Sequence, residues 1–305
     1  MRCAYLLWLI AGCGFSSPAG LTDDPGSPGG SNGPGGPGGP GAPAGPGGGS
    51  GSTSPCDASD PAPLLCVSFG GSSLVSDLAT PAHELLEHTG IVPLANIALP
   101  VTGYVVRTAG MFGPGSQLRI KDRPDLDVND MTLDLTIDLW MSPDGGLSSG
   151  PSSLIDNNGA YDAAYNTSGS VHCGFAGASV DSHAMVAAGT WHHVACTYGM
   201  ADHQLRVYVD GDLSGCKTTS AMPRAARDGV AIGASYDPTP KPLQSSFQQH
   251  FAGRLGHLHV YGIELTPDQI CGAANRTGCS QSCPGNDGGS NGEGGVVGAD
   301  PGSPR

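Results

Sequence analysis

The feature that most constrains the fold is a strict alternation of apolar and polar residues in the middle of the chain. Within residues 131–140, Leu133, Leu135, Ile137 and Leu139 fall on one face and polar side chains on the other. Successive side chains point to opposite faces of a β-strand, so this period of two predicts a strand with one buried face. Shorter stretches repeat the pattern at residues 171–175, 194–198, 205–209, 230–232 and 255–261. Many short strands with little helix predict an antiparallel all-β sandwich or barrel.

Turn and cap residues separate these strands. Asp210-Gly211 stands between two predicted strands and is typical of a two-residue hairpin loop. Thr266 is placed as the N-cap of a helix, with Pro267 at its first position and Gln269 completing a capping box. A further helical turn is predicted at residues 82–88.

Glycine and proline divide the chain into parts that can fold and parts that cannot. Of 50 Gly and 26 Pro, many fall in residues 13–55, and residues 284–305 have a similar composition. Neither stretch has enough apolar side chains to offset the entropy lost on ordering. We therefore expect a disordered linker at residues 13–55 and a disordered tail at residues 284–305. Residues 56–283 between them are predicted to form one sandwich domain.

The N-terminus has the pattern of an export signal that ends at a lipid-attachment cysteine. Arg2 precedes a short apolar run, and small residues lead to Cys13. Residues 9–13 resemble the bacterial lipobox, in which the cysteine is acylated and becomes the mature N-terminus. Residues 1–12 are therefore predicted to be a lipoprotein signal peptide, with a simple secretory signal as the alternative. The apolar run is too short to span a bilayer, so acyl chains on Cys13 would anchor the protein in a bacterial outer membrane or at the cell surface.

The charge distribution argues against nucleic acid as a partner. The chain has 27 acidic and 13 basic residues, a formal net charge of −14. No lysine or arginine occurs between Arg2 and Arg107. Binding to a phosphate backbone needs clustered basic side chains, which this part of the chain does not offer.

Four strings follow one another in a recognisable order: residues 135–140 (LTIDLW), 189–195 (GTWHHVA), 205–211 (LRVYVDG) and 251–270. In sequence and spacing they resemble the laminin-G-like jelly-roll domain of the concanavalin A-like lectin and glucanase superfamily, over roughly residues 66–270. The resemblance implies a two-sheet jelly-roll sandwich that binds a glycan or an extracellular protein. Trp191, at the start of a strand, is expected to pack at the rim of the core.

The superfamily also contains glucanases, and retaining glycosidases need two carboxylates about 5 Å apart. The chain has four glutamates: Glu84, Glu87, Glu264 and Glu293. None lies in a predicted strand beside another acid. Asp134 and Asp138 share a strand face but would lie about 13 Å apart, which is too far for a catalytic pair. We expect both to face solvent. The sequence favours a non-catalytic binding or adhesion module, with a divergent glycoside-active enzyme or a structural envelope component as alternatives.

Two groups of residues are candidates for ligand contacts. Asp156, Asn157 and Asn158 offer hard oxygen donors, so calcium is one interpretation of this segment and an Asn-Gly turn is the other. No other cofactor is predicted. Tyr161 and Tyr165, in a segment interpreted as a loop, are the aromatic side chains expected to contact a ligand.

Histidines are the remaining metal-ligand candidates. His257 and His259 would share one face of a strand, whereas His192 and His193 point to opposite faces. Two ligands without a third make a weak metal site. We therefore expect these side chains to line exposed polar strand faces.

Eight cysteines remain when Cys3 and Cys13 are set aside: Cys56, Cys66, Cys173, Cys196, Cys216, Cys271, Cys279 and Cys283. An even number in an exported protein predicts up to four disulfides. If the strands form a simple meander, Cys196 and Cys216 lie about 9.6 Å apart, which is too far to bridge. Cys173 is the better partner for Cys196. Cys56 and Cys66 are expected to meet the C-terminal cysteines, because first and last strands often pair in this fold.

Overall fold

The computed structural model describes residues 61–69, 76–79, 81–94, 97, 109–127, 134–145, 150–222, 229–236 and 247–284. These residues form eighteen β-strands and one short α-helix. The predicted signal peptide at residues 1–12 and the predicted linker at residues 13–55 lie outside them, as does the predicted tail beyond Pro284.

One sheet contains nine antiparallel strands. They are β1 (Leu65–Ser68), β2 (Ser76–Asp77), β4 (Val92–Leu94), β5 (Ala109–Phe112), β7 (Leu135–Pro143), β12 (His192–Gly199), β13 (Gln204–Val209), β14 (Asp212–Thr218) and β18 (Gly253–Tyr261). Their order is β14-β13-β12-β7-β18-β1-β2, and β5 joins β18 to β4. The consecutive strands β12, β13 and β14 are neighbours and form a meander.

The second sheet contains seven antiparallel strands. They are β3 (Leu85–Thr89), β6 (Gln117–Ile120), β8 (Ser152–Asp156), β9 (Tyr161–Tyr165), β10 (Val171–Phe175), β11 (Ala178–Asp181) and β15 (Val230–Ile232). Their order is β11-β10-β9-β8-β15-β6-β3. Two short strands, β16 (Ser235–Tyr236) and β17 (Phe247–Gln248), pair with each other.

The core lies between the two large sheets. Leu135, Ile137 and Leu139 of β7 are buried there, as their alternation predicted. Phe175 of β10 stacks on Tyr198 of β12, with ring centroids 3.8 Å apart, so side chains of the two sheets meet directly. The predicted all-β, two-sheet sandwich is therefore confirmed.

Local turn and cap chemistry also matches the sequence at two points. Asp210 and Gly211 both have positive φ, 51° and 83°, as a type I′ hairpin turn between β13 and β14 requires. Helix α1 (Pro267–Ala273) begins at Thr266, whose side chain accepts from the Gln269 N–H while the Gln269 side chain accepts from the Thr266 N–H. Among the described residues, no helix is long and apolar enough to cross a membrane.

The helical turn predicted at residues 82–88 is wrong. Residues 85–89 form the edge strand β3, whose register places Leu85 opposite Ile120 of β6. Pairing with an existing sheet edge overrides a local helical preference that has no packing partner of its own.

The disulfides are predicted correctly in one case and wrongly in another. Cys173 bonds to Cys196, and the bond links β10 to β12 across the core. The C-terminal cysteines form the bonds Cys271–Cys279 and Cys216–Cys283, so they do not pair with Cys66. The C-terminal segment turns back onto β14 instead of reaching the first strand. Cys66 is itself disulfide-bonded, and Cys56 lies outside the described residues.

Candidate functional site

Helix α1 and the chain before it cover part of the outer face of the nine-stranded sheet. Along β13, Leu205 and Val207 point into the main core, while Tyr208 points outward. The outward residues form a second apolar cluster with the helix: Ala195, Tyr208, Leu213, Tyr261, Leu265 and Ile270. Thr136 of β7 accepts from the Leu265 N–H at 2.9 Å and donates to the Ile263 carbonyl at 2.8 Å. These contacts fix the segment that leads into α1.

The segment after α1 is held against the β13–β14 hairpin. Arg276 donates to the Asp210 carbonyl at 2.5 Å and to the Asp212 carboxylate at 2.6 Å. The Asp212 carboxylate also accepts from the Ser280 N–H at 2.7 Å. Although burial acts in the opposite direction, the hydrogen bond from Arg276 lowers the pKa of Asp212. Together with the Cys216–Cys283 bond, these contacts fix the position of residues 274–283 on the sheet.

A cleft of about 320 Å³ lies between β13, β14 and the start of α1. Tyr208, Leu213 and Leu265 contribute its apolar side chains, and Arg206, Glu264 and Gln281 are among its polar ones. Sites for small organic ligands combine an apolar lining with a few polar groups that converge on the ligand. The cleft has this composition.

The polar groups of the cleft are organised around Arg206. Its guanidinium donates to Glu264 at 2.5 Å and also to Asp202. Burial raises the pKa of Glu264, and the carboxylates of Asp202 and Asp134 add to the rise against the opposing charge of Arg206. At the other side of the cleft, Gln281 donates to the Asp268 carboxylate at 2.7 Å.

Gly199 of β12 leaves room for this arrangement. A Cβ atom at this position would collide with the Glu264 carboxylate and approach the Asp202 carboxylate within 2.9 Å. Both acids pair with Arg206, so the missing side chain at position 199 leaves the space in which the ion pairs form.

A second polar cluster lies on the same outer face and is buried. The Asp138 carboxylate of β7 stands between His193 of β12, which it contacts closely, and His259 of β18, at 3.3 Å. Burial opposes ionisation of Asp138, but the two histidines lower its pKa. Among the described residues, no hydrogen-bond partner is found for His193 Nδ1 or His259 Nε2.

The structure therefore corrects the expectation that these side chains face solvent. Asp138, His193, His257 and His259 are all buried, because the outer face of the sheet is itself covered. His257 occupies an irregularity of β18 with a φ of 48°. Burial, with a contribution from His259, lowers its pKa to about 4. Asp134 is partly exposed and accepts from the Met200 N–H at 2.7 Å.

Trp191 packs against other side chains, but in a separate cluster and not at the rim of the main core as predicted. It is half-buried against Trp140, and Ile97 completes this small cluster on the outer face of the sheet. Trp140 in turn makes an edge contact with the His193 ring, at a centroid distance of 5.4 Å. The tryptophans thus belong to the packing around the buried histidines.

The calcium candidates lie at the turn between β8 and β9. Asp156 accepts from the Tyr236 N–H at 2.8 Å, and the Asn157 amide donates to the Leu126 carbonyl at 2.8 Å. The Asn157 side chain is buried and lies beside the Tyr161 phenol, on whose pKa it acts. Asn158 is exposed with a φ of 34°, which is typical of a turn residue.

The oxygen donors around this turn fit a hard cation in part. Burial raises the pKa of the Tyr161 phenol, and the carboxylates of Asp127 and Asp156 add to the rise. A hydrogen bond from the Asn157 side chain opposes that rise, so negative charge and a buried amide group lie close together here. In the described part of the chain, however, no group of three or more His, Cys, Asp or Glu side chains is arranged to hold a metal ion. A calcium ion here would need amide and backbone oxygens as well.

The prediction that Tyr161 and Tyr165 lie in a loop, where they could contact a ligand, is wrong. Both lie in β9 rather than in a loop, both are buried in the core, and the Tyr165 hydroxyl donates to the Val186 carbonyl at 3.1 Å. Neither ring presents a face to a ligand.

Sequence reasoning also missed Arg206, Glu264 and Gln281 as a group. Arg206 lies on the outward face of a predicted strand, which was a usable signal. The approach of Glu264 and Gln281 to Arg206 depends on the path of the chain around α1, and no local pattern encodes that path.

Comparison with known proteins identifies similar sequences and folds. The family described as the concanavalin A-like lectin/glucanases superfamily (Laminin_G_3) matches residues 112–271, just over half of the chain. The rat sushi, von Willebrand factor type A, EGF and pentraxin domain-containing protein 1 is 29% identical over 96 residues. That match covers 32% of this chain and only 2% of the rat protein.

Two solved structures share the fold. The binding domain of Paraclostridial Mosquitocidal Protein 1 superposes with a TM-score of 0.52 at 13% identity, covering 70% of this chain and 52% of that one. The botulinum neurotoxin serotype G binding domain gives a TM-score of 0.51 at 10% identity, covering 70% and 50%. This chain thus spans about half the length of each, and at such identities the likeness shows the fold alone.

Proposed function

Because this chain belongs to the concanavalin A-like lectin/glucanase superfamily, we propose that it is a non-catalytic binding module that recognises a glycan or an extracellular protein. The cleft beside α1 is the observation that carries the proposal. It combines an apolar floor with converging polar side chains, and the C-terminal segment that forms one wall is fixed by ion pairs and a disulfide. A wall that is already ordered loses little entropy when a ligand binds.

The chemistry of the cleft favours binding over turnover. A general acid must be able to hold and release a proton near the reacting bond. Glu264 and Asp202 are each ion-paired with Arg206, so each carboxylate already has a cationic partner, although burial raises the pKa of Glu264. The alternative of a divergent glycoside-active enzyme would need one of them to be released from Arg206.

Binding and turnover are separated by measuring both on the same probes. We expect the full chain to bind members of a glycan array or a panel of extracellular proteins, while a reducing-sugar assay on each bound glycan detects no product. Product release from a bound glycan would contradict the proposal. Binding to no probe in either panel would contradict it as well.

We further propose that Cys13 carries a lipid anchor outside the cytosol. The three disulfides among the described cysteines are typical of an oxidising compartment. In a bacterial host, the chain should incorporate labelled palmitate and fractionate with membranes, whereas Cys13→Ser should do neither. A labelled Cys13→Ser chain would exclude attachment at this cysteine, and an unlabelled native chain would exclude a lipid anchor.

Calcium remains a proposal for the β8–β9 turn, with Asp127, Asp156 and Asn157 as the residues that would hold it. Bound calcium would neutralise their buried negative charge and stabilise the native state by linkage. We expect millimolar calcium to raise the melting temperature by several degrees over EDTA. The rise should be lost in Asp127→Asn and kept in Asp144→Asn, an exposed control. An equal melting temperature with and without calcium would exclude the ion.

A further inference from the structure

The charges of the cleft restrict what it can bind. Among the described residues that line it, Arg206 is the one cation. Both of its terminal nitrogens already donate to carboxylates, one to Glu264 and one to Asp202. An incoming carboxylate or sulfate would have to displace one of these acids to reach the guanidinium.

Further negative charge surrounds the cleft. Asp268 lies at the rim, where its carboxylate accepts from Gln281. Asp134 is near enough to Glu264 to act on it electrostatically. An anionic ligand would therefore meet like charges on several sides, and such repulsion is an effective means of excluding a ligand.

Uncharged hydroxyl groups meet complementary partners in the same place. A carboxylate has about four acceptor sites, and Arg206 and the Thr197 hydroxyl both donate to Oε1 of Glu264. The remaining sites can accept from ligand hydroxyls. Leu213 and Leu265 line the cleft but are only 5% and 6% exposed, so their edges alone are available to the C–H face of a sugar ring. A volume of about 320 Å³ is at the small end of ligand sites and suits roughly one sugar residue.

We infer that the cleft binds an uncharged sugar residue and selects against acidic sugars, an inference that rests on the proposed binding function. Glu264 accepts from the sugar hydroxyls, Gln281 contributes its amide, and the acids around Arg206 repel carboxylates and sulfates.

Isothermal titration of the full chain tests this with matched probes: neutral glucose and galactose trisaccharides, and trigalacturonate as the acidic counterpart of the latter. We expect at least one neutral trisaccharide to bind, and the acidic probe to bind at least tenfold more weakly than the neutral galactose trisaccharide. Gln281→Ala should weaken neutral binding at least threefold. Gln117→Ala should not change it, although that residue likewise donates its amide to a surface carboxylate, that of Glu87.

Glu264→Gln provides the charge test, because it removes a negative charge with little change of shape. In this variant the affinities for the neutral and the acidic trisaccharide should become more similar. Its far-ultraviolet circular dichroism should match that of the native chain. If trigalacturonate binds as tightly as its neutral counterpart, or if Gln281→Ala leaves neutral binding unchanged, the inference is wrong while the binding function stands. If the chain binds none of these sugars but binds a protein or a sulfated glycan, the inference again falls alone. If the chain binds no glycan and no protein probe, both the binding function and the selectivity for neutral sugars are wrong.

Discussion

Asp138 shows how the position of a single residue can be predicted while its environment is not. The alternation in β7 correctly assigns it to the face opposite Leu139. That face is covered, so the carboxylate is buried between His193 and His259 instead of meeting water. A period of two defines two faces, and a covered outer face looks the same in sequence as a solvated one.

His257 gives a prediction on the pH dependence of stability. Its folded-state pKa is lowered from 6.5 to about 4, mainly by burial. The folded protein therefore resists protonation of His257 more than the unfolded chain does. The neutral His257 makes its whole contribution to the free energy of unfolding above pH 6.5, and this contribution is lost as the pH falls toward 4. The linked change is about 3 kcal/mol in the free energy of unfolding.

Urea denaturation at pH 7 and pH 4.5 measures this effect. His257→Asn should reduce the loss of stability between the two pH values, and Asn tolerates the positive φ at this position. His88→Asn, on an exposed edge-strand residue, should leave the loss unchanged. An identical pH dependence in native protein and His257→Asn would refute the assignment.

The burial of Tyr161 and Tyr165 could have been predicted from the sequence. Their alternation with Asp162, which is only partly buried, is the same period of two that located β7, and it indicates one buried face. The sequence did contain the signal that places both rings in the core. It contained no comparable signal for Gln281, whose place in the cleft depends on the chain turning back after α1.

At the scale of elements, strands with an apolar face are predictable and edge strands are not. β10 and β15 match their predicted ranges, because each puts branched or aromatic side chains into the core. β3 has mostly exposed residues and exists because β6 offers an edge to pair with. Such a strand has little pattern of its own, so local signals assigned it to a helix.

The Cys173–Cys196 bond ties the two sheets together and should stabilise the fold more than the short Cys271–Cys279 loop does. It closes a sequence separation of 23 residues between buried strands. Replacing both cysteines by alanine should lower the free energy of unfolding by about 3 kcal/mol, measured by urea denaturation.

The Cys271–Cys279 pair is the comparison, because it spans only 8 residues at the end of α1. Its double alanine variant should lose less stability. An equal or larger loss there would mean that attachment of the C-terminal segment, rather than the link between the sheets, limits unfolding.

At the scale of the whole molecule, the sandwich and its C-terminal segment together form one cleft. The sheet supplies Arg206 and Tyr208, and the chain around α1 supplies Glu264, Leu265 and Gln281. Sequence resemblance predicted the sandwich, because strand order and turn chemistry repeat within a family. The cleft could not be predicted in the same way, because it arises where two distant segments meet.

The central claim, that this cleft binds a ligand without converting it, is tested most directly by nuclear magnetic resonance. The backbone amide resonances of the full chain would be followed during titration with neutral glucose and galactose trisaccharides. The account predicts that the shifts concentrate at Tyr208, Leu213, Leu265 and Gln281, while the sugar's anomeric signals show no cleavage. Shifts confined to another surface, or the appearance of shorter sugars, would contradict it.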